Sequence, residues 1–523
     1  MAGFVSERLN SISHPLLPAM PTRNPSTLTA SPPEEPNERA PLLGGHDSGY
    51  DDHPKATSFP HRRLLLLVCL SVVAADFGNY LGYAPHIEIL ESIICRQARG
   101  SDLFGVDDNC KSPQVQGELA LINGWKDTFD QLPGIFLALP YGFAADRIGR
   151  KPILALSLTG LILEEIATRL IFFFNAVLPL RLIWMAPAFQ IIGGGPQIAT
   201  AMAYAIVTDM VPSHQRASVF FVLSAATLLG EIIGTPVAAF LMSWSPWIPS
   251  LLGLFFMSLG LLGTAFISDI PFKSSRGNNQ QDLEEEEGEG EGQNSTLVHD
   301  PRWKSAILRQ WNHLRNNYMA SWSVNLFYTV GAFLLASIGR QALQLIVQYA
   351  STRFSWSIAR ASSLITLKGI INLVTLLIIL PWLSNWLNEH LLLSPAAKDL
   401  RIVQGSVWIL TLGSAIMAIS THPAVFIVGV SFLALGWGFY SALRSLAMEM
   451  VSPSQVGIVN TAIGFAQSIG SMVSGPILAA AFRQGLQEDG IWVGLPYMVA
   501  AGLFFLSGCL TGCLQIAPGR SGA

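Results

Sequence analysis

The sequence predicts an all-α membrane protein of twelve transmembrane helices arranged as two pseudo-symmetric six-helix bundles. Three observations predict it. Half of the 523 residues are apolar and only 13% are charged, where soluble domains carry about a quarter charged residues. Apolar runs of roughly the 20 residues that cross a bilayer recur along the chain. Matching motifs also recur at an offset of 240 residues, as expected of two homologous halves. The net charge of −4 arises with acid concentrated at Glu284 to Glu291 and basic residues beside the spans; it implies no nucleic-acid partner. Five cysteines without a CxxC spacing suggest no metal site, and no cofactor motif is present.

Residues 1–61 read as a disordered cytoplasmic tail, with Pro32-Pro33, Ser/Thr runs and no hydrophobic periodicity. Within it Glu38, Leu42 and Leu43 are spaced like an acidic dileucine signal read by sorting adaptors, a candidate partner that points towards a vacuole or lysosome. Arg62 and Arg63 precede the first span and place the N-terminus inside. Six spans follow over 62–267, the N-terminal bundle. The polar, Glu/Gly-rich stretch 268–318 is expected to be an acidic cytoplasmic linker, 319–517 the C-terminal six-helix bundle and 518–523 a cytoplasmic tail. The seventh apolar run, Ala320 to Tyr349, is too long for one perpendicular crossing, so it tilts, breaks or projects. Cys95 and Cys110 fall in the polar segment after the first span, on the outer or lumenal side. They are a candidate disulfide, the alternative being two unrelated thiols.

Between the second and third spans lies a short charged turn containing Gly142, Asp146, Arg147, Gly149, Arg150, Lys151 and Pro152. Its basic residues belong on the cytoplasmic side. Its glycines let the backbone turn, and Asp146 can accept from the free N–H groups of a helix start. The pattern resembles the signature loop of the major facilitator superfamily, Gly-x-x-x-Asp-Arg-x-Gly-Arg-Lys/Arg-Pro, with all seven residues in place. In that family the turn gates one bundle against the other. Asp209 and Arg216, which bracket the turn after span four, are expected to join Asp146 and Arg147 in one cytoplasmic charge network.

The repeat is read from Gly230-x5-Pro236 in span five against Gly470-x5-Pro476 in span eleven, and from Asp209-Met-Val against Glu449-Met-Val. Gly230 and Gly234 permit close helix contact, and Pro236 bends its helix by removing a backbone bond. The span-five motif resembles the Gly-x-x-x-Gly-Pro element of drug/proton antiporters in the same family, with Thr235 intervening. The family's span-four Arg-x-x-Gln-Gly would put its arginine at Phe189, where no basic residue stands.

An ionisable group in the hydrocarbon zone marks a functional site by default. Asp76, sharing a helix face with Asn79 and Tyr80, leads the candidates for proton or substrate handling. Gln190, Glu231, Arg340, Gln344 and Lys368 complete the set. Pairs across the bundles, Asp76 or Glu231 with Arg340 or Lys368, would offset the cost of burial and could rearrange during transport. Lys126, Asp127 and Asp130, placed near the outer surface, and Glu164, Glu165 and Arg169, on a helix the family places peripherally, rank below Asp76. The alternative for each buried carboxylate is a purely structural ion pair.

No nucleotide-binding Gly-x4-Gly-Lys-Ser/Thr loop occurs. The expectation is a secondary active transporter, not an enzyme, moving a small organic solute by proton-coupled efflux and alternating access in the plasma or vacuolar membrane. The resemblance to fungal members with an Ile-Cys-Arg ending to the first outer loop and a Val-Gln-x-Glu-Leu-Ala start to span two, here Ile94 to Arg96 and Val115 to Ala120, implies efflux of secondary metabolites or toxins. The alternatives are a proton-coupled uptake permease for an organic anion or nutrient, and a non-transporting membrane receptor or scaffold.

Overall fold

The computed structural model describes residues 59–100, 110–210, 213–266, 324–391, 394–451, 455–488 and 490–514. The dileucine stretch at Glu38, Leu42 and Leu43 and the linker 268–318 lie outside the described residues, as does the side chain of Arg216.

Helical rods follow one another along the chain: α1 (Phe59–Gly100), α2 (Pro113–Ile148), α3 (Arg150–Phe173), α4 (Leu180–Asp209), α5 (Ser213–Met242) and α6 (Trp247–Ala265). The second half continues with α7 (Val324–Phe354), α8 (Ile358–His390), α9 (Pro395–Ile419), α10 (Pro423–Glu449), α11 (Val456–Glu488) and α12 (Gly490–Gly512). Helices are what a bilayer demands, because backbone N–H and C=O groups find no water there. Ten of these rods are long and apolar enough to cross a membrane. The other two, α2 and α3, are long as well but carry Lys126, Asp127 and Asp130 and Glu164, Glu165 and Arg169 in their interiors.

Local chemistry sets the ends. Proline opens α2, α9 and α10 at the first turn, where a missing N–H costs nothing. Ser394 caps α9 by accepting from Ala397 N at 3.3 Å. Gly149, at φ 96°, separates α2 from α3 with a backbone that side-chain-bearing residues avoid. The long seventh run breaks, with a 3-10 turn at Gln341–Leu345. In the second half, Ser384 to Asn388, which occupy the sequence position that Ala144 to Ile148 of the charged turn hold in the first, are helical, inside Leu380–Leu391.

The two halves repeat one packing scheme. Gly230 of α5 lies against the Phe77 backbone of α1, and Gly234 lies against Tyr80, so that an added Cβ would sit 3.2–3.3 Å from those atoms. Gly470 of α11 meets Leu334 and Ser337 of α7 in the same way. Pro236 and Pro476 lie inside the corresponding helices. The halves meet where α2 touches α11: Gly124 and Gly475 bring the two backbones so close that a Cβ on either would overlap the other's carbonyl oxygen. They meet again where Gly369 of α8 rests on Glu231 and Ile232 of α5.

A disulfide joins Cys95 of α1 to Cys110 just before α2, at a sequence separation of 15. Closing a loop of this length contributes about 3 kcal/mol in the chain-entropy account. Cys95→Ser is therefore expected to lower the melting temperature of the purified protein, and reductant is expected to produce the same fall in the wild type but none in the variant.

Candidate functional site

A cavity of about 630 Å³ lies among α1, α2, α3 and α4, with walls contributed by α7 and α11 of the other half. One face of α1 supplies Asp76, Asn79, Tyr80 and Tyr83, spaced so that all four point the same way. Of the residues expected from the sequence, Asp76, Asn79, Gln190 and Gln344 line this cavity. Glu231, Arg340 and Lys368 stand outside its wall. Asp76 makes no hydrogen bond or ion pair among the described residues, so its expected cross-bundle partner is absent there.

The dense polar wall comes from residues that sequence reasoning ranked lower. Lys126 of α2 is within 2.8 Å of Asp130 and 2.7 Å of Glu164 of α3, and its side chain is 11% exposed. Gln190 of α4 donates from Nε2 to Glu164 Oε2 at 2.7 Å and to Asp130 Oδ1 at 3.4 Å. Glu165 and Arg169 pair along one turn of α3, and Arg169 also donates to the Ser250 carbonyl at 2.9 Å. Lys126 sits about 20 Å along α2 from its start, at 1.5 Å per residue. It is therefore an interior residue, and the expected outer-surface position for this group is corrected, as is the peripheral position for Glu164, which is 3% exposed.

Gln190 reaches this wall because α4 is broken. It runs as a 3-10 helix over Leu180–Ile191, passes through Gly193, Gly194 and Gly195 at φ 93°, 82° and 81°, and resumes as an α-helix at Pro196. The freed backbone groups are met by side chains: Ser157 Oγ donates to Gly193 O at 2.6 Å, Gly193 N donates to Tyr141 Oη at 2.7 Å, and Tyr141 Oη donates to Ile191 O at 2.8 Å. Irregular backbone at membrane depth is tolerated where it lines a cavity.

Glu231 and Lys368 form an ion pair across the halves at 2.6 Å, with side chains 4% and 17% exposed. Arg340 is held by aromatic faces instead, 5.8 Å from Trp437 and 5.3 Å from Tyr440; Lys368 approaches the Trp437 ring at 5.9 Å. Arg444 bonds Gln467 at 2.9 Å. At the disulfide end the halves are tied by polar contacts that the sequence did not reveal. Lys111, next to Cys110, reaches Glu91 and, in the other half, Ser351, each at 2.6 Å. Gln116 donates to Glu91, and Gln348 donates to Gln116 O at 2.7 Å. Gln116 belongs to the Val-Gln-x-Glu-Leu-Ala stretch, which with Cys95 and Cys110 marked this region in the sequence.

The signature turn has the opposite character. Arg150 pairs with Asp209 at 2.6 Å and donates to Ala205 O at 2.5 Å, tying the turn to α4 of its own half. Asp146 and Arg147 are exposed and make no ion pair among the described residues; the expected network of these two with Asp209 and Arg216 is found only as Asp209 with Arg150, the Arg216 side chain lying outside the described residues. A Cβ added at Gly142 would meet nothing within 4 Å. The molecule is thus tied across its halves at the disulfide end and at the Glu231–Lys368 pair.

Residues 112–475 match the family described as Major Facilitator Superfamily. Efflux pump ustT of Aspergillus flavus is 32% identical over 85% of this chain and 87% of its own length. MFS efflux pump atnC of Emericella nidulans is 30% identical over 91% and 92%. Among solved structures, the human organic anion transporter MFSD10 (TETRAN) superposes with a TM-score of 0.56 at 16% identity, over 87% of this chain and 100% of that one. The nucleoside transporter NupG gives 0.58 at 12% identity, over 86% and 99%. With two six-helix halves, a paired signature turn and this match over most of its length, the chain is a multi-pass integral membrane protein that belongs to the major facilitator superfamily.

Proposed function

We propose that this protein is a secondary transporter that exports a small organic solute in exchange for protons by alternating access. The observation that carries the reading is the cavity of about 630 Å³ walled by ionisable side chains at membrane depth. Its size suits a drug-sized molecule, and charge at that depth marks ion and substrate paths. The names of the fungal relatives support export. Residues 62–267 and 319–517 would act as the two moving bundles, joined by the linker 268–318. Rocking that opens the disulfide end must break the Lys111–Ser351 contact and shift the Glu231–Lys368 pair.

A second reading, uptake of an organic anion, is favoured by one observation: Arg340 has aromatic faces and no carboxylate partner among the described residues. The relative direction decides between them. In inside-out vesicles with an acidic interior, substrates drawn from a panel of fungal metabolites are expected to accumulate, and collapse of the gradient by a protonophore is expected to abolish accumulation. Accumulation only in right-side-out vesicles under an inward proton gradient would replace export with uptake.

Breaking a buried pair leaves a charge without compensation and costs about 3–5 kcal/mol. Lys368→Ala is therefore expected to lower the melting temperature strongly, while Glu231→Gln combined with Lys368→Met recovers most of the loss, as read by thermal unfolding of the purified variants. Residues Glu38, Leu42 and Leu43 would direct the protein to the vacuolar membrane through an adaptor. Changing both leucines to alanine is expected to move a fluorescently tagged protein from the vacuolar to the plasma membrane; an unchanged distribution removes the adaptor from the reading.

A further inference from the structure

The cavity wall on α2 and α3 has more acid than base. Asp127, Asp130, Glu164 and Glu165 face Lys126 and Arg169, and Glu165 is taken by Arg169. One lysine is left to three carboxylates. The other elements around the cavity do not correct the balance: α1 brings His86, whose Nε2 lies 3.3 Å from Asn123 Oδ1, and the further acid Asp76. The wall residues named from α4, α7 and α11 are uncharged, among them Gln190, Gln344 and Gly475. Uncompensated carboxylates at this depth are resolved by taking up a proton.

A second observation says where. Gln190 is 2% exposed, and although its Nε2 donates to two carboxylates, its Oε1 is buried without any donor. That oxygen is pressed against Gly195, where a Cβ would displace it. A buried carbonyl oxygen left bare is costly. Even so, Gln190 Nε2 and Lys126 Nζ each reach both Asp130 and Glu164. Two carboxylates that share their donors in a site without water cannot both stay charged, and the pair takes up one proton.

We infer that Lys126, Asp130 and Glu164, with Gln190 closing the cluster from α4, form the proton-binding site of the transport cycle, and that the Asp130–Glu164 pair carries the proton. The inference rests on the proton-coupled reading above but moves the coupling group from Asp76 to the interface of α2, α3 and α4. One proton is bound from one side of the membrane and released to the other, with no other bond made or broken.

The test needs no transported substrate. The full chain, purified into lipid nanodiscs, is titrated while infrared difference spectra follow the C=O stretch of protonated carboxyls. The expected result is a band that grows on acidification in the wild type, is lost when Asp130→Asn and Glu164→Gln are combined, shifts in frequency in Gln190→Leu through loss of its hydrogen bond, and persists in Asp76→Asn. Should the double variant fail to fold, Glu164→Asp alone is expected to shift the band. A band lost in Asp76→Asn, or unchanged in the double variant, overturns the site. Displacement of the band by NaCl at constant pH, and not by KCl, overturns the proton in favour of sodium. Wild-type vesicles that export without a proton gradient overturn the coupled-transport reading instead, so the two failures are told apart.

Discussion

Everything in this structure is arranged around the cost of holding charge where there is no water. The chain meets that cost in three ways. Glu165 and Arg169 neutralise each other within one helix. Glu231 and Lys368 do so between halves. Arg340 relies on the negative faces of Trp437 and Tyr440. Around the cavity carboxylates outnumber their basic partners, and there α4 is broken to bring a neutral amide into the group. That concentration of unmet charge is what separates the proposed transport site from the structural pairs named above.

The second constraint is steric. Lipid offers no hydrophobic reward for helix association, so contact depends on backbones approaching closely. Gly124 and Gly475 form the tightest such approach between the halves, while Gly78 and Gly253 hold α1 to α6 within the first. Two polar contacts across the halves, Gln116 with Gln348 and Lys111 with Ser351, lie on the same side of these glycine contacts as the disulfide, while Thr128 with Met472 and Glu231 with Lys368 tie the halves elsewhere. In the transport cycle proposed above, the glycine packing would act as a fulcrum and the polar ties at the disulfide end as a releasable clasp.

What the sequence made legible was whatever a local pattern encodes. The signature turn, the apolar runs and the Gly-x5-Pro repeat are short strings with fixed spacing, and each stands where spacing puts it. The family and the two-half architecture followed from them. The site was less legible. Asp76, Asn79, Gln190 and Gln344 could be found one at a time because each is a polar residue in an apolar run. The partnership of Lys126 with Glu164 could not, since it depends on which faces of α2 and α3 meet, 38 positions apart in sequence. The same charges mislead by position: Lys126, Asp127 and Asp130 stand early in the second span and so read as near the outer surface, while Glu164 reads as part of a peripheral helix. The three consecutive glycines after Gln190 were the available signal that α4 bends there, because successive positive φ values favour glycine.

The disulfide has a meaning beyond the stability of its loop. Lys111 is the neighbour of Cys110, and it is the side chain that reaches both Glu91 and the opposite half at Ser351. Joined to α1 through Cys95, that ammonium group is kept at a high effective concentration beside Glu91. In the transport cycle proposed above, each opening stroke would find the clasp ready to re-form, and the balance between the two sides of the membrane would depend in part on the oxidation state of the compartment that the disulfide faces.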